Sequence, residues 1–175
     1  MQFLYDANAT CVVAETLDGK IVGCGTAKLA ADDASDCLIR GTNQSSPSGD
    51  KEGHILTLAV DPSWRRRGIG RDILETLVIQ IRALCTRQAR LSKGVGQNHS
   101  LRAIVLQTCA GNLGALKFYE VCGYQRQGLK KGYYGSGKDA IPMKLSLVQD
   151  GFNEGDKMEV DKEKSATIRK WVAVY

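Results

Sequence analysis

Residues His54 to about Arg87 read as a strand, a basic glycine loop and a helix in immediate succession, and that order constrains the local fold more than any other part of the chain. His54-Ile-Leu-Thr-Leu-Ala-Val60 is an apolar β-rich run, and Asp-Pro-Ser-Trp-Arg65-Arg66-Arg67-Gly68-Ile69-Gly70 follows it directly. Gly68 and Gly70 lack a Cβ, so the backbone there can turn tightly and bring main-chain N–H groups against a ligand. The first turn of the next helix adds unpaired N–H donors and the positive end of its dipole. Three consecutive arginines add mobile cations. The combination is a cradle for a pyrophosphate-like anion. It is not a Walker loop, because no Gly-Lys-Ser/Thr tripeptide occurs. Nor is it a dinucleotide fingerprint, because Ile73 stands where G-x-G-x-x-G needs its third glycine.

The 175 residues are one domain's worth, enough to bury a core. Hydrophobic residues make up 43% and charged residues 25%, the balance of an ordinary soluble globule. The net charge of +5 suits an anionic small molecule as well as a nucleic acid. A DNA-binding role is the weakest reading, since the basic residues cluster on a loop and no recognition helix accompanies them. No apolar run approaches a membrane span, and the first residues lack a signal-peptide layout. Six cysteines, at 11, 24, 37, 85, 109 and 122, form no C-x-x-C pair and have only two histidines to help them, so no metal site is expected. They read as free, mostly buried thiols, in keeping with a cytoplasmic or nuclear location.

Thr10–Leu17 and Lys20–Leu29 are β-rich runs joined by Asp18-Gly19, a hairpin signal. From about 31 to 52 the periodicity is lost among Asp, Ser, Asn, Gly and Pro, which reads as a surface insertion. The helix from Gly70 to about Arg87 sets Ile73, Leu74, Leu77, Val78, Ile81 and Leu84 on one stripe. Residues 89–100 read as a second insertion and Arg102–Cys109 as a strand. A short helix follows, capped by Asn112 and ended by Gly123. Segments 123–129 and 140–148 read as a last pair of strands, with the Tyr133-Tyr134 segment between them. The organisation is one domain over 1–149 and a charged tail over 150–175, whose apolar end from Thr167 could dock on the domain or on a partner. The class is α/β, with one parallel crossover and a ligand at the carboxyl ends of the central strands.

The pattern Arg-Arg-x-Gly-x-Gly after an apolar strand resembles the acetyl-CoA loop of the GNAT N-acetyltransferase superfamily. Asn112-x-x-Ala115-x-x-Phe118-Tyr119-Glu120-x-x-Gly123-Tyr124 is similar to a second block of those enzymes. Lys130-Lys-Gly-Tyr133-Tyr134, with Asp139-Ala140-x-x-Met143-x-Leu145, is similar to the closing hairpin of protein N-terminal acetyltransferase catalytic subunits, including the bacterial ribosomal-protein alanine acetyltransferases. The resemblance covers about residues 10–148. It implies the GNAT fold, a mixed and mostly antiparallel sheet flanked by helices. Family members place a strand and two helices before the hairpin that begins here near Thr10. Those elements are expected to be missing, as in a fragment, a mis-started gene model, or a variant completed by its tail or a partner.

The resemblance also implies roles. Arg65, Arg66, Arg67, Gly68, Ile69, Gly70 and Arg71 would hold the pyrophosphate of CoA. Leu58, Ala59 and Val60 would line its pantetheine arm, with Leu58 and Val60 pairing through their main chain. Asn112 would hydrogen-bond the cofactor, and Tyr119 would protonate the leaving thiolate. Leu56, Gln107, Tyr133 and Tyr134 would meet the acceptor. The implied partners are acetyl-CoA and a protein or peptide N-terminus, with an auxiliary subunit or ribosome association as a further option.

The chemistry suits an α-amine. Acyl transfer needs the neutral amine, and an α-amino group titrates at about 7.7–8.0 against about 10.4 for lysine. Deprotonating lysine at neutral pH therefore costs roughly 3 kcal/mol more. His54 is the candidate base, with an unperturbed pKa of about 6.5; the alternative is a strand-end histidine half in solvent. Gln107 stands on the neighbouring strand where related enzymes carry a histidine, and it cannot act as a base. Tyr119 could instead pack with Phe118, Tyr133 and Tyr134 could be a simple aromatic cluster, and Arg65–Arg67 a solvated run. The expected reaction is direct attack of the amine on acetyl-CoA, with no cysteine nucleophile. The alternatives are a small-molecule or lysine acceptor on the same fold, or a non-catalytic acyl-CoA-binding subunit.

Overall fold

The computed structural model describes residues 7–30, 51–91, 100–135, 137–147 and 168–174. Strands β1 (Ala9–Thr16) and β2 (Ile21–Leu29) form a hairpin, and β3 (Lys51–Val60) pairs antiparallel with β2. A 3-10 turn, Pro62–Trp64, leads through the basic loop into α1 (Ile69–Leu91). β4 (Leu101–Cys109), α2 (Leu113–Val121), the two-residue β5 (Gln125–Arg126), β6 (Ala140–Ser146) and β7 (Ile168–Val174) complete the order. The sheet runs β5-β6-β4-β3-β2-β1-β7, and β3–β4 is its one parallel pair. The apolar end of the chain adds β7 to the outer edge of β1.

One sheet face is packed on α1. A Cβ added at Gly23, Gly25 or Gly53 would fall within 3.0 Å of Ile73, Leu77, Ile81 or Ile104 side chains, so these three positions let the helix lie close on the strands. Ile69, Ile73, Leu74, Leu77, Ile81 and Cys85 supply the buried side of α1. Val12 and Ala14 on β1 and Ala27 and Leu29 on β2 answer at the alternate positions that a strand turns to one face, and Val22 joins the core where the β1–β2 register shifts. On β1, for example, Thr10, Val12, Ala14 and Thr16 are buried while Cys11, Val13 and Glu15 are half-buried. α2 adds Leu116 and Tyr119 to the same core.

Three element boundaries differ from those the sequence suggested. β3 begins at Lys51, not His54, because buried Lys51 donates through Nζ to Gln88 Oε1 at 2.7 Å and its main chain pairs with Leu101 on β4. The same contact explains why α1 runs to Leu91, past Arg87. Gln88 bonds both Lys51 and Asn8, tying the last turns to the sheet. β5 is only Gln125–Arg126 within the expected 123–129, since Gly128 turns at φ +98° and leads the chain away. The expected insertions shrink accordingly at their described ends, and 31–50 and 92–99 lie outside the described residues. The described cysteines are free thiols, but only Cys85 is buried and the other four are half-buried, against the expectation of mostly buried thiols.

Candidate functional site

The parallel pairing of β3 with β4 starts at Lys51↔Leu101 and stops at His54↔Val105. Beyond it β3 stays on β2 as far as Gly23↔Val60, and β4 stays on β6 as far as Cys109↔Ala140. The two central strands therefore part, leaving a wedge with a free strand edge on each side. A bulge sets the β3 edge. Thr26 and Ala27 are consecutive on β2 but face Thr57 and Ile55, so Leu56 is the extra residue. Past the bulge, Asp61 N–H donates to Val22 O on the β2 side while Val60 O accepts from Arg65 on the other. By strand alternation the main chain of Leu58 and Val60 faces the wedge. Neither the bulge nor the point of parting has a sequence signal, since both depend on how three strands pack.

The basic loop closes one end of the wedge. Arg66 has φ +64° and Gly68 φ +88°, an alternation that turns successive N–H groups inward as an anion nest. Among the described residues, none of the main-chain hydrogen bonds outside helices and strands uses the N–H of Arg66, Arg67, Gly68, Ile69 or Gly70. The three arginines, all exposed, differ in their contacts. Arg65 Nε donates to Val60 O at 3.0 Å. Arg67 stacks 4.6 Å over the Trp64 ring and reaches Ser63 O at 3.4 Å. Both brace the loop, and Arg66 keeps its side chain toward solvent. At Gly70 an added Cβ would meet Phe118 at 3.5 Å and Val60 at 3.7 Å, ordinary contacts, so the fold itself does not require glycine there. Burial raises the pKa of the Cys122 thiol, and Arg71, in the first turn of α1, partly offsets that.

α2 brings the next residues to the wedge. Asn112 caps it, with Oδ1 accepting from Ala115 N–H at 3.1 Å, so its carbonyl oxygen is engaged and only its amide nitrogen remains for a ligand. Tyr119 is 9% exposed and packs edge-to-face on Phe118 and Tyr124, with ring centroids at 5.1 and 5.8 Å. Burial pushes its phenol up to about 12, with smaller contributions from the Cys122 thiol and Tyr134.

The opposite sheet face holds a different set. Lys28 lies directly across from His54, and Val105 pairs with His54 in the parallel register, so these side chains share a face away from α1. Gln107 and Cys109 follow Val105 on that face. His54 is 3% exposed at the fourth position of β3, beside the vertex of the wedge, not half in solvent at a strand end. Glu52 pairs with Lys144 at 2.9 Å, and Thr26 with Thr57 at 2.7 Å between hydroxyl oxygens. The Tyr133-Tyr134 segment arches over β4. Tyr134 donates through its hydroxyl to Gln107 O at 3.0 Å, and Gly132 N–H donates to Asp139 Oδ1 at 2.9 Å. Both tyrosines stay substantially exposed, and Lys130 lies 5.6 Å over the Tyr133 ring. Burial raises the Tyr134 phenol, helped by Tyr133 and the Cys109 thiol. The structure thus gathers Leu58, Val60, the 65–71 loop, Asn112 and Tyr119 at the α1 side of one wedge, and His54, Gln107 and Tyr134 at its other side. Ala59, paired with Cys24, is exposed on the β2 side of its strand.

The family model for the acetyltransferase (GNAT) domain matches residues 7–126. The chain belongs to that family. Among relatives, an N-alpha-acetyltransferase of Saccharolobus solfataricus is 28% identical over 101 residues, 58% of this chain and 52% of the relative. A ribosomal protein bS18-alanine N-acetyltransferase of Salmonella typhimurium is 27% identical over 99 residues, 55% of this chain and 57% of the relative. The chain therefore spans about half the length of these curated relatives. Of solved structures, Chaetomium thermophilum Naa20 in complex with a bisubstrate analogue superposes at a TM-score of 0.56 with 27% identity, covering 77% of this chain and 64% of that one. The mixed sheet, with its single parallel pair and flanking helices, is the GNAT acetyltransferase fold. Among the described residues no group of three or more ligating side chains could hold a metal, and no helix is long and apolar enough to cross a membrane.

Proposed function

We propose that this acetyltransferase-family chain moves an acetyl group from acetyl-CoA to the α-amino group of protein N-termini by direct attack. The observation that supports the reading most is the wedge with unlike faces: an anion nest and a buried phenol on one side, a buried histidine and an amide on the other. The nest fits a pyrophosphate, because the N–H groups of Arg66 to Gly70 have no main-chain partner among the described residues and the start of α1 reinforces them. Gly70 then serves the ligand's approach rather than the fold. Leu58 and Val60 offer a strand edge to which an extended amide-bearing arm can pair.

Acetyl-CoA supplies an acyl group activated as a thioester. The acceptor amine enters from the His54 side, so its nitrogen meets the carbonyl carbon from the face opposite the nest. The new N–C bond forms as the C–S bond breaks. The amine's surplus proton passes to His54, directly or through one water, and Tyr119 gives its phenolic proton to the departing sulfur. A phenol held up at about 12 is protonated at neutral pH, as an acid must be. Tyr133 and Tyr134 line the acceptor entrance. N-terminal acceptors fit on chemical grounds, since a mild base suffices for an amine of pKa about 7.7–8.0, and two relatives carry that activity in their names.

The test is acetyl transfer to short peptides with varied first residues, beside lysine-bearing N-blocked peptides and polyamines, with acetyl-CoA binding measured by calorimetry. Turnover on free peptide N-termini, lost in His54→Ala, is the expected result. Turnover confined to lysines or polyamines would move the acceptor class, and binding without turnover would leave an acyl-CoA-binding protein.

A further inference from the structure

The side chain of Gln107 carries an acceptor that the described residues leave unused. Gln107 faces Pro142 across the β4–β6 ladder. Pro142 O accepts from Gln127 on the far side, so this is a pair whose main-chain groups point away from one another, and Gln107 O points into the wedge. There it accepts the Tyr134 hydroxyl at 3.0 Å, which pins this stretch of β4 beyond the end of the parallel pairing. The Gln107 side chain lies on the face it shares with Val105 and His54, and its Oε1 is buried without a hydrogen-bond donor among the described residues. Buried amide oxygens left without a donor are uncommon in native folds, and one beside an open wedge calls for a donor from the ligand.

A carboxamide oxygen accepts and does not ionise. It can hold one N–H of a primary amine while leaving the nitrogen lone pair free to attack. A carboxylate in its place would favour the ammonium form and raise the pKa of the acceptor, opposing attack. We infer that Gln107 is the residue that orients the acceptor: its Oε1 receives an N–H of the neutral α-amine and aims the lone pair across the wedge, while His54 takes the proton. The assignment rests on the N-terminal acetyltransferase reading above and gives a residue to its specificity for neutral primary amines.

The experiment compares wild type, Gln107→Leu and Gln107→Glu on the best peptide from the panel, recording kcat and kcat/KM against pH together with acetyl-CoA binding by calorimetry. Gln107→Leu should lower kcat/KM by about 10- to 100-fold, with acetyl-CoA Kd within about twofold of wild type. That binding also shows that the variant is folded. Gln107→Glu is nearly isosteric and should shift the rising limb of the kcat profile upward by about one pH unit, because a carboxylate stabilises the bound ammonium and kcat reports the groups of the bound complex. A residue with a merely structural role would not move that limb. Peptide turnover by wild type, with Gln107→Leu matching it within twofold or with the limb of Gln107→Glu unmoved, overturns this assignment and leaves the N-terminal reading standing. Absence of peptide turnover by wild type, with acetyl-CoA bound, overturns both.

Discussion

Tyr119 is held by two rings, Phe118 and Tyr124, in a site dry enough to push its phenol up to about 12. An acid with that pKa keeps its proton across the working range, so the rate should carry no alkaline decline from this group below about pH 11. The expected kcat profile rises as the amine and its base lose their protons and then stays level to about pH 10; a fall between pH 8 and 9 would rule Tyr119 out as the acid. Tyr119→Phe keeps both ring contacts and removes only the hydroxyl. It should lower kcat by about 10²- to 10³-fold with acetyl-CoA Kd nearly unchanged, as single-turnover kinetics and calorimetry can separate. Tyr119 was readable in the sequence because its neighbours from Asn112 to Tyr124 formed a block with a family likeness. Nothing in three adjacent arginines shows that one stacks on Trp64 and another reaches back to Val60. Gln107 could be placed on its strand, but its orphaned oxygen could not be foreseen, because it follows from where β3 leaves β4.

At the scale of elements, two glycines separate the demands of the ligand from those of packing. Gly68 has φ +88° and open space around the position of a Cβ, so Gly68→Ala meets strain without a clash. The left-handed conformation costs an ordinary residue roughly 1–2 kcal/mol. The loop can relieve it only by turning its N–H groups out of the nest. The expected result is a small loss of Tm and about tenfold weaker acetyl-CoA binding by calorimetry. Gly53 is the converse. A Cβ there would stand 2.6 Å from Ile81 Cγ2 and 2.7 Å from Ile104 Cδ1, both in the packed core under α1. Gly53→Ala should therefore lower stability by about 1–3 kcal/mol in denaturant titration, and leave binding per folded molecule close to wild type. Equal binding losses in the two variants would show that the loop is not an independent nest. The strand–loop–helix unit was legible because period-two and period-3.6 patterns abut at a glycine pair. The start of β3 and the end of α1 were not, because Lys51 and Gln88 secure each other from elements 37 positions apart.

Across the whole molecule, the seven-stranded sheet leans on α1 and α2 from one side, and the core they enclose contains phenols as well as aliphatic groups. The fold class and the single parallel crossover were legible from the order of elements. The docking of 168–174 on β1 was not, since an apolar run after a charged one fits a partner as readily as a free edge. The enclosed phenols give this architecture a measurable weakness. Burial raises the pKa of both Tyr119 and Tyr124 above the value of about 10 that they regain on unfolding. The folded state thus keeps two protons that the unfolded chain releases. Their contribution is fully present below about pH 10 and is lost as pH climbs through the folded values. With Tyr119 at about 12, its share alone is on the order of 3 kcal/mol, a sizeable part of a typical domain's 5–15 kcal/mol. Above about pH 10 Tyr119 and Tyr124 should each add about 1.4 kcal/mol per pH unit to the fall in stability while their proton occupancies differ between the two states, on top of the loss that begins at lower pH with the Cys11 and Cys122 thiols, whose pKa burial also raises. Tyr124→Phe should take about 1.4 kcal/mol per pH unit off that slope. It should also hold or raise stability at neutral pH, because the Tyr124 hydroxyl is buried without a hydrogen-bond partner and its removal takes away a desolvated group, not an interaction. Denaturant titrations of wild type and Tyr124→Phe at pH 8, 10 and 11 provide the check: equal slopes in the two proteins would mean that the alkaline loss comes from elsewhere in the molecule, and that the phenol cluster titrates with the surface.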